Sequence, residues 1–263
     1  MCYSSNVVKA AGIARALKRH KQQVLVFKTW GGKRRGAGRP PKGRLSSEPH
    51  KKRATFRESE PLHVNIRVEP GVGRLRKRHI YRALREATIA VAKHEDFRII
   101  HLSIQSKHVH LIVEAQHKTA LAKGMQGFQI SAARHINRVI SKRSGKRRTG
   151  RVFSDRYHAR VLKTPKTVRN ALAYVLNNWR RHQEHRAAWT KNWAMDPYST
   201  AIQFDGWKEM ERELFYRKPP DTYLTLWVWL PKTWLLREGW RRHGLISLEE
   251  VPGPITKATV TAA

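Results

Sequence analysis

The chain of 263 residues holds one cysteine, Cys2, so no disulfide can close within it and no cysteine-rich zinc site can be built. It also lacks a long apolar run. The best stretch, residues 223–230, stops at Pro231 and is far too short to cross a bilayer. Lys9 and Arg15 interrupt the apolar residues near the start, which leaves no uninterrupted core of a secretory signal. Acidic residues are scarce, 19 against 54 Lys and Arg, and the formal charge is +35. Charge of that size says nothing about fold, but it calls for a polyanionic partner. The expectation is a cytoplasmic protein, with nucleic acid as that partner and no membrane association.

Composition divides the chain into three regions. Residues 1–58 are dominated by Lys, Arg, Gly, Pro and Ser, without apolar periodicity after Phe27, and are expected to be disordered or extended when free. Within them, Arg34, Arg35, Gly38, Arg39, Lys42 and Arg44 lie in a Gly-Arg-Pro segment similar to an AT-hook, with Ala37 in place of its first arginine. Glycine lets backbone approach DNA, and arginine enters a narrow minor groove. A solvated basic linker is the alternative reading. Residues 59–182 carry the periodic segments. Strands are expected over 62–68, 97–105, 108–115 and 151–163, and helices over 75–91, 120–140 and 167–182, the last opened by Thr164-Pro165. Residues 106–107 form the tip of a hairpin. The first six elements follow a ferredoxin-like βαββαβ order, an α+β sandwich with an antiparallel sheet, and the seventh is a further helix.

Residues 183–263 are punctuated by Trp189, Trp193, Trp207, Trp227, Trp229, Trp234 and Trp240. Residues 233–244 read as an amphipathic helix closed by glycine, on which Arg241 and Arg242 can meet phosphates or bases. The alternative is that the tryptophans anchor an extension onto the domain. The last eight residues, 256–263, are expected to fray.

Two short signals carry chemistry. In the strand over 108–115, His108 and His110 point to one side. In the helix over 167–182, Tyr174 and Asn178 share a face. Two imidazoles and an amide oxygen can hold one divalent metal, with positions open for phosphate and water; Mg²⁺ or Mn²⁺ suits such use, although Zn²⁺, Co²⁺ and Ni²⁺ also bind these donors. A metal lowers the barrier to attack on a phosphodiester, and Tyr174 is the nucleophile beside it. Tyr157 is the rival nucleophile. His63, His101 and His158 can also approach the metal, with His63 and His101 read as packing residues on strand faces. Glu114, four residues from His110, is read as orienting that histidine from behind.

These residues resemble the REP-associated tyrosine transposases, single-tyrosine HUH endonucleases related to insertion-sequence transposases. The family's histidine–hydrophobic–histidine motif is matched by His108-Val109-His110, and its tyrosine followed four residues later by Asn or Gln by Tyr174 and Asn178. The segment around Gly38-Arg39-Pro40 and the run from Gly150 through Arg151 and Arg156 to His158 are similar to the family as well. The resemblance implies metal-dependent nicking and strand transfer on single-stranded DNA at palindromic hairpins, through a 5′-phosphotyrosine, in the cytoplasm of a bacterium beside its nucleoid. It implies a monomer, with a dimer as the alternative because related transposases exchange their tyrosine helices. A silent, hairpin-binding descendant is the alternative function. The chain departs from the family at Trp179, where many members have proline, and at Lys107, where many have asparagine; both positions, with Arg151 and Arg156, touch the expected DNA path.

Overall fold

The structure, a computed structural model, describes residues 54–188, 190, 193–212 and 223–253. The basic segment with Arg34, Arg35, Gly38, Arg39, Lys42 and Arg44 lies outside the described residues, as do Trp189 and the chain end over 256–263.

Four strands form one antiparallel sheet: β1 (Leu62–Arg67), β2 (Phe97–Ile104), β3 (His108–Ala115) and β4 (His158–Val161), in the order β2-β3-β1-β4. Three longer helices accompany them: α1 (Arg78–Val91), α2 (Lys118–Ser144) and α3 (Pro165–Arg181). This is the ferredoxin-like βαββαβ sandwich with one added helix. The β2–β3 hairpin turns at Ser106-Lys107, where Gln105 N donates to His108 O at 2.9 Å.

Alternation along the strands assigns each residue to one of two faces. Val64, Ile66, Val109, Leu111 and Val113 join Leu84, Ala87, Met125 and Phe128 in a core beneath α1 and α2. Gly124 lets α2 lie close on the sheet there, since a Cβ at that position would sit 2.0 Å from the Phe97 ring. Ile112 and the bulged Ile100 join Leu172, Val175 and Leu176 of α3 in a second core on the other face. His63, Asn65, Arg67, His108 and His110 alternate onto that second face.

Three expected elements differ. The fourth strand is confined to β4, because Val152, Phe153 and Tyr157 are all buried and no alternation joins them; residues 151–157 follow an irregular path tied to Arg67 and Glu69 by backbone hydrogen bonds. The first helix starts at Arg78 rather than 75, since Leu75 N donates to Ser106 O at the hairpin tip. The expected helix over 233–244 is broken into α4 (Trp234–Arg237) and a 3₁₀ turn (Gly239–His243). The Trp234 ring lies where a Cβ of Gly239 would be, 2.7 Å away, so the break is packed rather than loose.

The segment after α3 is part of the fold. Ile104 N donates to Tyr198 O at 2.8 Å, Thr200 N to Leu102 O at 2.9 Å and Trp229 N to Ile99 O at 2.8 Å, which pairs part of the outer edge of β2. Trp207 and Trp240 are buried against α3, while Trp227 and Trp234 are exposed. Arg169 holds Glu250, and Asn177 Nδ2 donates to Ser247 O at 2.8 Å, so α3 is held between the sheet and this extension.

Candidate active site

Helix α3 begins where its sequence directs. Thr164 accepts from Thr167 N at 3.2 Å and the Thr167 hydroxyl accepts from Thr164 N at 3.1 Å, a reciprocal cap, with Pro165 in the first turn. Arg180 and Arg181 fall in the last turn, at the negative end of the helix dipole. Val168, Leu172, Val175, Leu176 and Trp179 are buried, which fixes the rotation of the helix.

That rotation brings Tyr174 onto the histidine face of the sheet. The Tyr174 ring lies 5.1 Å from the His110 ring and 5.7 Å from the His63 ring, centre to centre. His108 and His110 lie 4.6 Å apart, and two turns along the helix His182 reaches within 6.0 Å of His108. Asn178 sits between Tyr174 and His182 on the same helix face. It is fully buried, and among the described residues neither Oδ1 nor Nδ2 has a hydrogen-bond partner. His110 Nε2 is likewise buried without a partner, and so is Oδ1 of Asn65, which pairs with His110 across the strands. Buried polar atoms left this way ordinarily have an occupant. Two imidazole nitrogens and an amide oxygen are donors a divalent metal accepts, so His108, His110 and Asn178 fit the expected ligand set. Among the described residues, no group of three His, Cys, Asp or Glu side chains is arranged to hold a metal, and the third donor here is an amide.

The histidines are poised as neutral ligands. Burial, followed by the charges of His63, His108 and His182, pushes the His110 pKa down to about 2. Burial, then His182 and Arg67, lowers His108 to about 4; burial, then His158 and Arg160, lowers His63 to about 4. All three are neutral imidazoles at neutral pH.

The rest of this face is open and basic. β4 is largely uncovered, with His158 and Arg160 exposed, and Arg67 is exposed opposite His108 in the β1–β3 register. Tyr174 is half-buried at the edge of that opening, and Lys107 is exposed at the hairpin tip. A strand of polyanion laid over β1 and β4 would meet Arg67, Arg160 and Lys107 with Tyr174 beside it. Arg67 and Arg160 were missed in the sequence; Arg67 was within reach, since it shares the odd-numbered face of β1 with His63.

Other candidates lie elsewhere. Tyr157 is buried in the core under α1 and α2, so the sheet separates it from the histidines and Tyr174 is the tyrosine at the site. His63 is no mere packing residue: its Nε2 lies 3.2 Å from His110 Nδ1. Glu114 does not orient His110; its carboxylate accepts from Arg98 and from the backbone N–H groups of Lys232 and Thr233, which ties down the start of α4. His158 is exposed on β4. Arg151 and Arg156 are exposed on the loop before β4 and line a cavity of about 520 Å³ with Gln126, Gln129 and Phe153. Arg241 pairs with Asp205 at 3.1 Å and lies over Trp240, while Arg242 is exposed and lies over Trp234.

His101 is the packing residue that the sequence suggested. It is buried, with Nδ1 3.1 Å from the Thr200 hydroxyl, whose oxygen already accepts from Leu102 N. Burial pushes its pKa from 6.5 to about 4, partly countered by Asp205. Above the unfolded value both states are neutral; as pH falls from 6.5 towards about 4 the unfolded chain takes up the proton first, and stability is lost. His101→Gln should remove about one proton from this acid-side slope, ~1.4 kcal/mol per pH unit. Urea midpoints compared across that window check it, and an unchanged slope would refute the assignment.

The IS200-like transposase family is matched over residues 63–178, from the first histidine of the cluster to the buried asparagine. The matched span contains His63, His108, His110, Tyr174 and Asn178. Among solved structures, a REP-associated tyrosine transposase bound to a REP hairpin is similar at 16% identity and a TM-score of 0.42, covering 70% of this chain and 100% of that one. A bacterial tRNA(His) guanylyltransferase-like protein in complex with GTP is similar at 14% identity and a TM-score of 0.35, over 51% of this chain and 66% of that one. No curated protein matches the chain. Among the described residues, no helix is long and apolar enough to cross a membrane.

Proposed function

We propose that the chain is an IS200-like transposase, whose domain over residues 63–178 nicks and rejoins single-stranded DNA through Tyr174, with His108, His110 and Asn178 holding a divalent metal, Mg²⁺ or Mn²⁺. The observation that carries this reading is the fully buried Asn178 amide, one turn from Tyr174 on the same helix face and without a hydrogen-bond partner among the described residues. When bound, the metal would supply positive charge to the non-bridging oxygens of the scissile phosphate. The Tyr174 oxygen attacks phosphorus, its bond to the 5′ phosphate forms as the bond to the 3′ oxygen breaks, and the phenol loses its proton while the departing 3′ oxygen gains one. The reverse reaction, with another 3′-OH, joins a new strand and needs no external energy source, because the phosphotyrosine keeps the bond energy.

Arg67, Arg160 and Lys107 hold the DNA backbone beside the tyrosine by their charge. The resemblance to REP-associated transposases makes a palindromic hairpin the preferred substrate, and the basic N-terminal segment, with Arg34, Arg35, Gly38, Arg39, Lys42 and Arg44, a second grip on it. Arg151, Arg156, Arg241 and Arg242 are exposed or half-exposed cations that extend the DNA surface. Hydrogen bonds from α3 to the extension hold the tyrosine helix on its own sheet, which favours action as a monomer in a bacterial cytoplasm, in contact with the nucleoid.

The test is a denaturing gel for a covalent protein–DNA species formed on single-stranded palindromic DNA. The adduct is expected with Mn²⁺ or Mg²⁺, is lost with EDTA, and returns when metal is restored. Tight hairpin binding with no adduct under any metal would replace this reading with that of a silent binding protein.

A further inference from the structure

His63 and His110 share one hydrogen bond, between Nε2 of the first and Nδ1 of the second at 3.2 Å, with the rings stacked at 5.2 Å and tilted by 30°. At this distance a single proton lies between the two nitrogens. Two arrangements satisfy it. If His63 donates, His110 carries its proton on Nε2, and that N–H is buried where no acceptor meets it. If His110 donates from Nδ1, its buried Nε2 keeps a lone pair. A neutral imidazole has only these two tautomers, and the partner of one nitrogen decides what the other offers.

We infer that His63 is a positioning residue: it accepts the Nδ1 proton of His110 and so fixes the tautomer and plane in which Nε2 presents its lone pair to the site. Its place follows from the sheet. His63 lies on β1 in register with Ile112, two residues along from the Asn65–His110 pair, so the two imidazoles meet diagonally on one face. The Tyr174 ring makes edge contacts with both histidines, at 5.7 Å from His63 and 5.1 Å from His110. The backbone thus sets the position of the acceptor, and the acceptor sets the chemistry of the ligand. A partner of this kind typically changes metal affinity by roughly 10- to 100-fold.

The inference rests on the metal-dependent reading for its purpose, but not for its main test. Long-range ¹⁵N spectra of histidine-labelled protein without metal report the tautomer of His110 directly. The Nδ1–H form is expected in the wild type and a shift towards Nε2–H in His63→Leu. His63→Gln, whose side-chain oxygen can accept the same proton, should restore the wild-type form. In parallel, Mn²⁺ alone is titrated and followed by water-proton relaxation. His63→Leu should bind it roughly 10- to 100-fold more weakly, and His63→Gln close to wild type. An Nε2–H tautomer in the wild type, or unchanged tautomer and Mn²⁺ affinity in His63→Leu, overturns the inference. If the tautomer changes as expected while even the wild type fails to bind Mn²⁺, His63 keeps its role and the metal-dependent reading alone falls.

Discussion

Tyr174→Phe should abolish the covalent protein–DNA species while leaving the protein folded and bound to its DNA. The substitution removes one oxygen from a half-buried ring and keeps the ring that covers His63 and His110, so stability should change by less than about 1 kcal/mol. The chemistry has no such reserve. A nucleophile that forms the covalent intermediate cannot be replaced by its neighbours, and its loss typically costs roughly 10⁴-fold or more in rate. The control is Tyr157→Phe. That ring lies in the core on the opposite face of the sheet, so the variant should keep adduct formation even if stability falls by about 1 kcal/mol with its hydroxyl. An adduct that survives Tyr174→Phe would remove the nucleophile assignment. One that also vanished in Tyr157→Phe, with folding intact, would mean that the loop before β4 reaches the chemistry by a route the structure does not contain.

The difference between these two tyrosines shows what sequence reading reaches here. Local signals were legible. Thr164-Pro165 marks the start of α3, alternation puts His108 and His110 on one face, and the four-residue interval puts Asn178 under the same face as Tyr174. These depend on periodicity alone, and periodicity survives folding. What was not legible depends on register and on distant partners. His63 meets His110 only because β1 and β3 pair with Asn65 opposite His110, a match across 47 residues that nothing local encodes. Glu114 shares the face of His110, as expected, yet its carboxylate is committed to backbone N–H groups 118 and 119 residues away. The expected helix over 233–244 has helical spacing but breaks at Gly239, because the Trp234 ring occupies the space there.

The same contrast explains why the extension carries weight in the site. Its tryptophans drew attention, but its deepest anchor is ionic. Arg76, just ahead of α1, reaches Asp196 with two hydrogen bonds of 2.7 and 2.9 Å, and both side chains are wholly buried. Asp196 also accepts from Tyr198 N at 2.9 Å, in the segment that pairs with β2, and Arg76 donates to Ile104 O at 2.9 Å. One pair therefore fastens the start of the extension to the sheet edge. From there the chain continues over α3, which carries Tyr174.

Asp196→Ala is accordingly expected to be the most destabilising single change outside the apolar core. Burial opposes the charge on Arg76, and Asp196, with Glu184, more than reverses this and raises its pKa. Without Asp196, Glu184 at 3.9 Å remains beside a guanidinium that stays buried. Removing one partner of such a pair costs about 3–5 kcal/mol. For a domain of this size that is a fall in Tm of roughly 6–20 °C. Adduct formation should fall as well, since the extension no longer steadies α3. The double variant Arg76→Met with Asp196→Leu separates the two possible reasons. If the penalty comes from a stranded charge, replacing both partners by apolar side chains should recover most of the stability, because a buried ion pair and a packed apolar pair are often close in free energy. Thermal melts and the adduct gel should then recover together. If the double variant melts as low as Asp196→Ala, the hydrogen bonds to Ile104 and Tyr198, rather than the charge balance, hold the extension in place.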